Sequence, residues 1–137
     1  MCSSLRMATR SVNRLYDRAL SAAGLRVTGY SILSRLDDEG PLSIGKLAER
    51  LGMERTTCTR EVAPLIAAGL VEGVVGSDRR RRLMRLTSLG VRQRAEAYPL
   101  WEQVQRMVAD EFGQADVADL LARLTRLREG SDRLSGG

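Results

Sequence analysis

The chain has 137 residues, 43% of them hydrophobic and 28% charged, with a formal net charge of +5 and no histidine. That length and apolar content suit one domain with a core, while the lack of histidine removes the usual general base, the commonest metal ligand and a histidine pH switch. Two cysteines cannot complete a four-ligand zinc site, and no nucleophile–base, dinucleotide-binding or P-loop pattern is present, so no enzyme activity, cofactor or metal is expected.

Along residues 4–22 the apolar positions Leu5, Ala8, Val12, Leu15, Tyr16, Ala19 and Leu20 form one helical stripe that Gly24 is placed to end. Arg6, Arg10, Arg14 and Arg18 make a basic row on the other face, read as a solvated face with DNA phosphates as the competing reading. Thr28 is expected to cap a second helix containing Tyr30, Ile32, Leu33 and Leu36, which Asp37, Asp38 and the Gly40-Pro41 pair bring to an end.

Ser43 can cap a short helix bearing Ile44, Leu47, Ala48 and Leu51, and Gly52 permits the turn that follows. The next helix, about 54–68, places Cys58, Val62, Leu65 and Ile66 inward and Thr56, Thr57, Arg60 and Ala63 on or near its outer face. A helix-turn-helix follows, with an outer face suited to the major groove, where arginine forks onto guanine and threonine offers a hydroxyl or a methyl. Pro64 removes one amide from that helix, and a kink or a freed Arg60 carbonyl is expected there.

Residues 70–75 and 83–86 are apolar and β-prone, with Gly76, Ser77 and Asp78 as turn chemistry and Arg79, Arg80, Arg81 and Arg82 near the tip of the resulting hairpin. Between Ser43 and Thr87 nine cations face five acids, so most of the net positive charge sits on this winged helix-turn-helix pattern. Thr87 starts a long helix marked by Leu89, Ala95, Trp101, Val104, Met107 and Val108, with a bend expected at Pro99. Gly113 separates it from a last helix, about 114–128, with Val117, Leu120, Leu121, Leu124 and Leu127 in a broad apolar stripe, and residues 131–137 are expected to be disordered. These stripes exceed what a small winged lobe can cover, which points to a homodimer. No run approaches the roughly eighteen apolar residues of a membrane span, and MCSSLRMATR lacks the core of a secretory signal, so a cytoplasmic protein with no membrane partner is expected.

Taken in order, LRMATRSVNRLYDRAL, MERTTCTREVAPLIAAGLV and SDRRRRLMRLTSLG resemble the first helix, the turn with its recognition helix, and the wing with its Asp-x-Arg and Thr-x-x-Gly of the multiple antibiotic resistance regulator (MarR) family. The resemblance covers nearly the whole chain. It implies a mainly α fold with a small β-hairpin wing: a single domain over 1–137, with a DNA-binding lobe at about 28–87 and dimerisation helices at about 4–22 and 88–129. It also implies a homodimeric regulator, a repressor released by a small-molecule effector, bound to a pseudo-palindromic operator in double-stranded DNA. The residues that would meet DNA are Arg55, Thr56, Thr57, Thr59, Arg60, Asp78, Arg79, Arg80, Arg81 and Arg82, with Asp78 bracing the wing and Arg80 entering the minor groove. Tyr16 and Tyr30 are candidate effector-pocket residues that can equally be core aromatics.

Two other readings compete. Some family members sense oxidants through a cysteine near the start of the first helix, which makes Cys2 a candidate redox residue, whereas Cys58 reads as core. From a different class, a winged helix can be a protein-interaction module that reads no DNA, although threonine and arginine on the recognition face argue against it.

Overall fold

The structure, a computed structural model, describes residues 1–77 and 80–136. The chain divides into two compact units, Met1–Trp101 and Glu102–Gly137. Its elements run α1 (Cys2–Leu20), a 3-10 turn (Ser21–Ala23), α2 (Val27–Glu39), β1 (Leu42–Ser43), α3 (Ile44–Leu51), α4 (Arg55–Ala67), β2 (Val71–Val75), β3 (Arg82–Leu86), α5 (Ser88–Phe112) and α6 (Gln114–Leu134). The fold is mainly α with a small antiparallel sheet, the architecture of a winged helix-turn-helix.

In the first unit the apolar stripes of α2, α3 and α4 converge on a core in which Leu20, Ile32, Leu33, Leu47, Val62 and Val71 are fully buried. Only the end of α1 joins that core. Tyr16 and Leu20 are buried, while residues 1–14 are exposed throughout. Thr28 does not cap α2 as expected: Arg26 is the N-cap residue, and Asp17 Oδ1 on α1 accepts the Val27 amide at 2.8 Å. A carboxylate ten residues upstream thus satisfies an orphan helix donor and ties the two helices together.

The sheet has three strands in the order β1-β3-β2, not the two expected. Leu42 pairs with Met84 and Ser43 with Leu83, so the residue that caps α3 also ends a strand. Glu72 lies opposite Arg85, and their side chains pair at 2.7 Å across the ladder.

Gly69 (φ 75°) ends α4, with the Leu70 amide donating back to the Leu65 carbonyl. The junction to α5 is unusually close. Thr87 Oγ1 donates to the Gly69 carbonyl at 2.6 Å and accepts the Gly90 amide at 3.0 Å, while the Thr87 amide donates to Leu70 O at 3.1 Å. Gly90 is buried on the Leu70 carbonyl, where a β-carbon would overlap the oxygen. The Thr-x-x-Gly pattern is therefore a joint between the exit of α4 and the start of α5.

Pro64 and Pro99 both lie inside helices that continue past them. Within the second unit α6 runs to Leu134, so the disordered tail expected from residue 131 is not seen. Gly130 costs a helix about 1 kcal/mol against alanine, too little to stop one that continues through good formers on both sides.

Candidate nucleic-acid interface

The turn between α3 and α4 is set by backbone chemistry. Gly52 adopts the left-handed conformation (φ 65°), and the Met53 amide donates to the Ala48 carbonyl at 3.0 Å, closing α3 in a Schellman-type turn. Two residues later Glu54 opens α4 in an extended conformation without a side-chain cap, and its carbonyl takes the Cys58 amide at 2.9 Å. At the other end of α3, Ser43 Oγ accepts the Lys46 amide at 3.1 Å. Glu39 fixes α3 against α2, meeting Arg50 at 2.9 Å and Arg35 at 3.4 Å, and the hydrogen bond from Arg50 holds its carboxyl below the usual range.

Cys58, Val62 and Leu65 face the core from α4, each on the same helical side. Ile66 does not join them: it is 45% exposed, so the inner stripe ends one residue earlier than its spacing suggests. The outward side carries Arg55, Thr56, Thr59, Arg60 and Ala63, which together line an open depression of about 590 Å³. Thr59 Oγ1 donates to the Arg55 carbonyl at 3.1 Å, so its hydroxyl proton is held within the helix while its lone pairs and methyl remain outward. Thr57 is half-buried at the edge of this face and does not line the depression.

A second cleft, about 380 Å³, lies between the start of α3, the start of α4 and the base of the wing, lined by Ser43, Ile44, Gly45, Arg55, Arg80, Arg81 and Arg82. Arg55 borders both depressions. Sequence reasoning missed the contribution of Ser43, Ile44 and Gly45, because nothing in their residue types marks them beyond a helix start. Asp78 and Arg79, expected to brace and extend the wing, lie outside the described residues.

Away from this surface, Tyr30, Ser31, Ser34, Arg35, Asp38, Leu51, Arg94, Tyr98 and Trp101 line a pocket of about 470 Å³. Arg94 is its centre: the guanidinium sits 5.9 Å from the Tyr30 ring and 5.4 Å from the Tyr98 ring, with Ser34 Oγ at 3.3 Å and Asp37 at 3.9 Å. Trp101 stacks on both tyrosines, with centroids 5.8 and 6.0 Å away. Tyr30 thus lines a pocket as well as the core. Tyr16 does not line that pocket, and burial pushes its hydroxyl pKa up.

Cys2 is exposed and Cys58 buried, both as free thiols, and burial pushes the Cys58 thiol up in pKa. Among the described residues no cluster of histidine, cysteine and acidic side chains could hold a metal ion, and no helix is long and apolar enough to cross a membrane.

The MarR family's sequence profile matches residues 23–82, the stretch that builds α2 to the base of the wing. The transcriptional regulator MosR of M. tuberculosis, solved in complex with DNA, is 34% identical, with 96% of this chain and 97% of that chain covered and a TM-score of 0.83. The same fold, at 20% identity and TM-score 0.83 over 91% of each chain, is found in a mutant of E. coli MarR complexed with operator DNA. It recurs in the PcaV transcriptional regulator from Streptomyces coelicolor in complex with its natural ligand, at 23% identity and TM-score 0.83 over 93% of this chain and 90% of that one. No curated protein sequence matches the chain. The chain belongs to the MarR family of winged-helix transcriptional regulators, which are regulators of transcription and not enzymes.

Proposed function

We propose that the protein acts as a homodimer that reads a pseudo-palindromic operator with α4, represses from it, and is released by a small-molecule effector. The observation that carries this reading is the outward face of α4. Arg55, Thr56, Thr59 and Arg60 stand exposed in one open depression, next to the wing arginines, in a chain whose relative MosR was solved with DNA. Arginine and threonine at such positions can read base edges, and the wing cations lie where a flanking backbone or minor groove would pass. Asp78 and Arg79 are assigned to the wing tip, and Arg80 to the minor groove, on the family pattern alone.

Two-fold assembly is supported by what the protomer leaves uncovered. No described residue of α6 is buried, and Leu120, Leu121 and Leu124 are 43%, 60% and 38% exposed. On α1, Met7 and Val12 are exposed as well. Apolar stripes of this kind need a partner, and a second copy supplies self-complementary ones. Two copies would put their recognition helices in successive major grooves about 34–36 Å apart.

The effector reading rests on the pocket around Arg94. Its aromatic walls and paired arginines give it both contact area and charge, and it is bounded by α5, just before which Thr87 is hydrogen-bonded to Gly69 and Leu70 at the exit of α4. A ligand that prefers one placement of α5 would shift α4 with it. The test is a fluorescence-anisotropy titration of the purified protein on its own upstream DNA and on a scrambled duplex, repeated over a salt series. Tight, salt-dependent binding that favours the upstream duplex is expected. Equal and weak binding to both would reject the operator reading and favour a protein-interaction module.

A further inference from the structure

A threonine can offer a DNA groove either a hydroxyl or a methyl, and the structure chooses between them at Thr59. Its Oγ1 donates to the Arg55 carbonyl at 3.1 Å, so its one hydroxyl proton is committed to the helix. A guanine edge, which presents only acceptors in the major groove, has nothing to receive from it. What Thr59 extends outward is its methyl. Ala63 stands one turn further along the same exposed face, and both line the depression that Arg55 and Arg60 border. Ile66, which follows on that side, is left 45% exposed. The middle of a face bordered by two guanidinium groups is therefore carbon.

We infer that Thr59, beside Ala63, is a specificity residue that reads the methyl group of a pyrimidine in the major groove, next to the base that Arg60 reads. The inference rests on the DNA-binding reading above and deepens it by naming the group on the DNA that this part of α4 recognises. Thymine carries that methyl at its groove edge, whereas uracil and cytosine leave a gap against the two side chains. Because the group recognised is the methyl and not the whole base, cytosine methylated at the same ring carbon is read too. The Thr59 oxygen keeps lone pairs that can accept from the cytosine amine. The contact is thus sensitive to cytosine methylation as well as to sequence.

The test uses the full chain and the upstream duplex, with each symmetric pair of thymines replaced in turn by deoxyuridine. At one pair the affinity should fall about fourfold per half-site, the worth of one buried methyl, and roughly fifteenfold for both. The slope of log affinity on log salt should not move, since a methyl releases no counterion. At the same position methylated cytosine should bind better than cytosine by a like factor. Thr59→Ser keeps the hydroxyl and drops the methyl, and should erase most of the difference between thymine and deoxyuridine at that pair. Thr59→Val keeps a methyl and drops the hydroxyl, and should retain the difference. Each variant is first matched to wild type by circular dichroism and sedimentation.

Tight, salt-dependent binding with no thymine sensitive to the replacement would overturn the inference and leave the operator reading standing. A difference kept in Thr59→Ser and lost in Thr59→Val would also overturn it, by making the hydroxyl the reader. If wild type binds no duplex even in low salt, the operator reading itself fails and takes this one with it.

Discussion

Replacing Gly90 by alanine should destabilise the protein even though alanine is the better helix former. Position 90 is in the first turn of α5, and an added β-carbon would overlap the carbonyl oxygen of Leu70, with the Leu70 carbonyl carbon only 3.1 Å away. Neither atom is the mobile end of a side chain, so the α5 backbone must move away. Overpacking of this kind costs about 1–3 kcal/mol. Moving α5 also stretches the Thr87 bonds to Gly69 and Leu70, each worth about 1 kcal/mol. Against this stands a helix-propensity gain of about 1 kcal/mol, which leaves a net loss of roughly 2–4 kcal/mol. Gly130→Ala is the internal control, because a β-carbon there meets only Arg133 at 3.8 Å, an ordinary contact, and the propensity gain should appear undiminished. Urea unfolding of both variants at one protein concentration gives the comparison. A Gly90→Ala protein as stable as wild type, or stabilised like Gly130→Ala, would refute the joint between α4 and α5.

Other consequences can be checked with simple measurements. Under native conditions an aromatic disulfide reagent should titrate one thiol quickly, Cys2, and should reach buried Cys58 only with denaturant, so two fast thiols in the native protein would contradict the packing of α4. The Glu39 carboxyl is held low by Arg50, so its contribution is present above the ordinary carboxylate pKa and is lost as pH falls through its depressed folded value. Glu39→Gln should therefore lower stability near neutral pH and match wild type once the carboxyl is protonated; a constant difference down to strongly acidic pH would show that the ion pair is not the cause. Leu121→Asp should dissociate or unfold the proposed homodimer, because an unpaired carboxylate in an apolar interface costs several kcal/mol, and sedimentation showing an unchanged dimer would remove α6 from the interface.

What could be read from the sequence was mostly local. Gly52, Gly69 and the apolar spacing of α3 and α4 mark the helix-turn-helix, since a left-handed glycine and a 3.6-residue period are properties of neighbouring residues. Strand β1 escaped detection because two residues carry no period, and its pairing with β3 depends on residues forty positions away. Thr28 has the residue type of an α2 cap, but the acceptor is Asp17 on the preceding helix. In the same way Tyr30 is legible as a pocket candidate while Arg94, Tyr98 and Trp101, its partners from α5, are not, because only folding brings them together. Of the candidate DNA residues, Arg55, Thr56, Thr59 and Arg60 share one exposed face and Arg80, Arg81 and Arg82 line the adjacent cleft, while Thr57 stands aside. The helix start at Ser43–Gly45 carries no sequence mark beyond its cap, because the arginines that share its cleft converge from other elements.

The central claim is that α4 reads base edges through Arg60 within a symmetric dimer. The most direct measurement is a selection on random duplexes with wild type and Arg60→Ala, each confirmed as folded and dimeric. Wild type should return an inverted repeat whose half-site centres lie about 10–10.5 base pairs, or a multiple, apart. Arg60→Ala should keep that spacing and lose preference at one symmetric base position, by about 1–3 kcal/mol per half-site. Identical preferences for the two proteins, or no inverted repeat from wild type, would contradict the account.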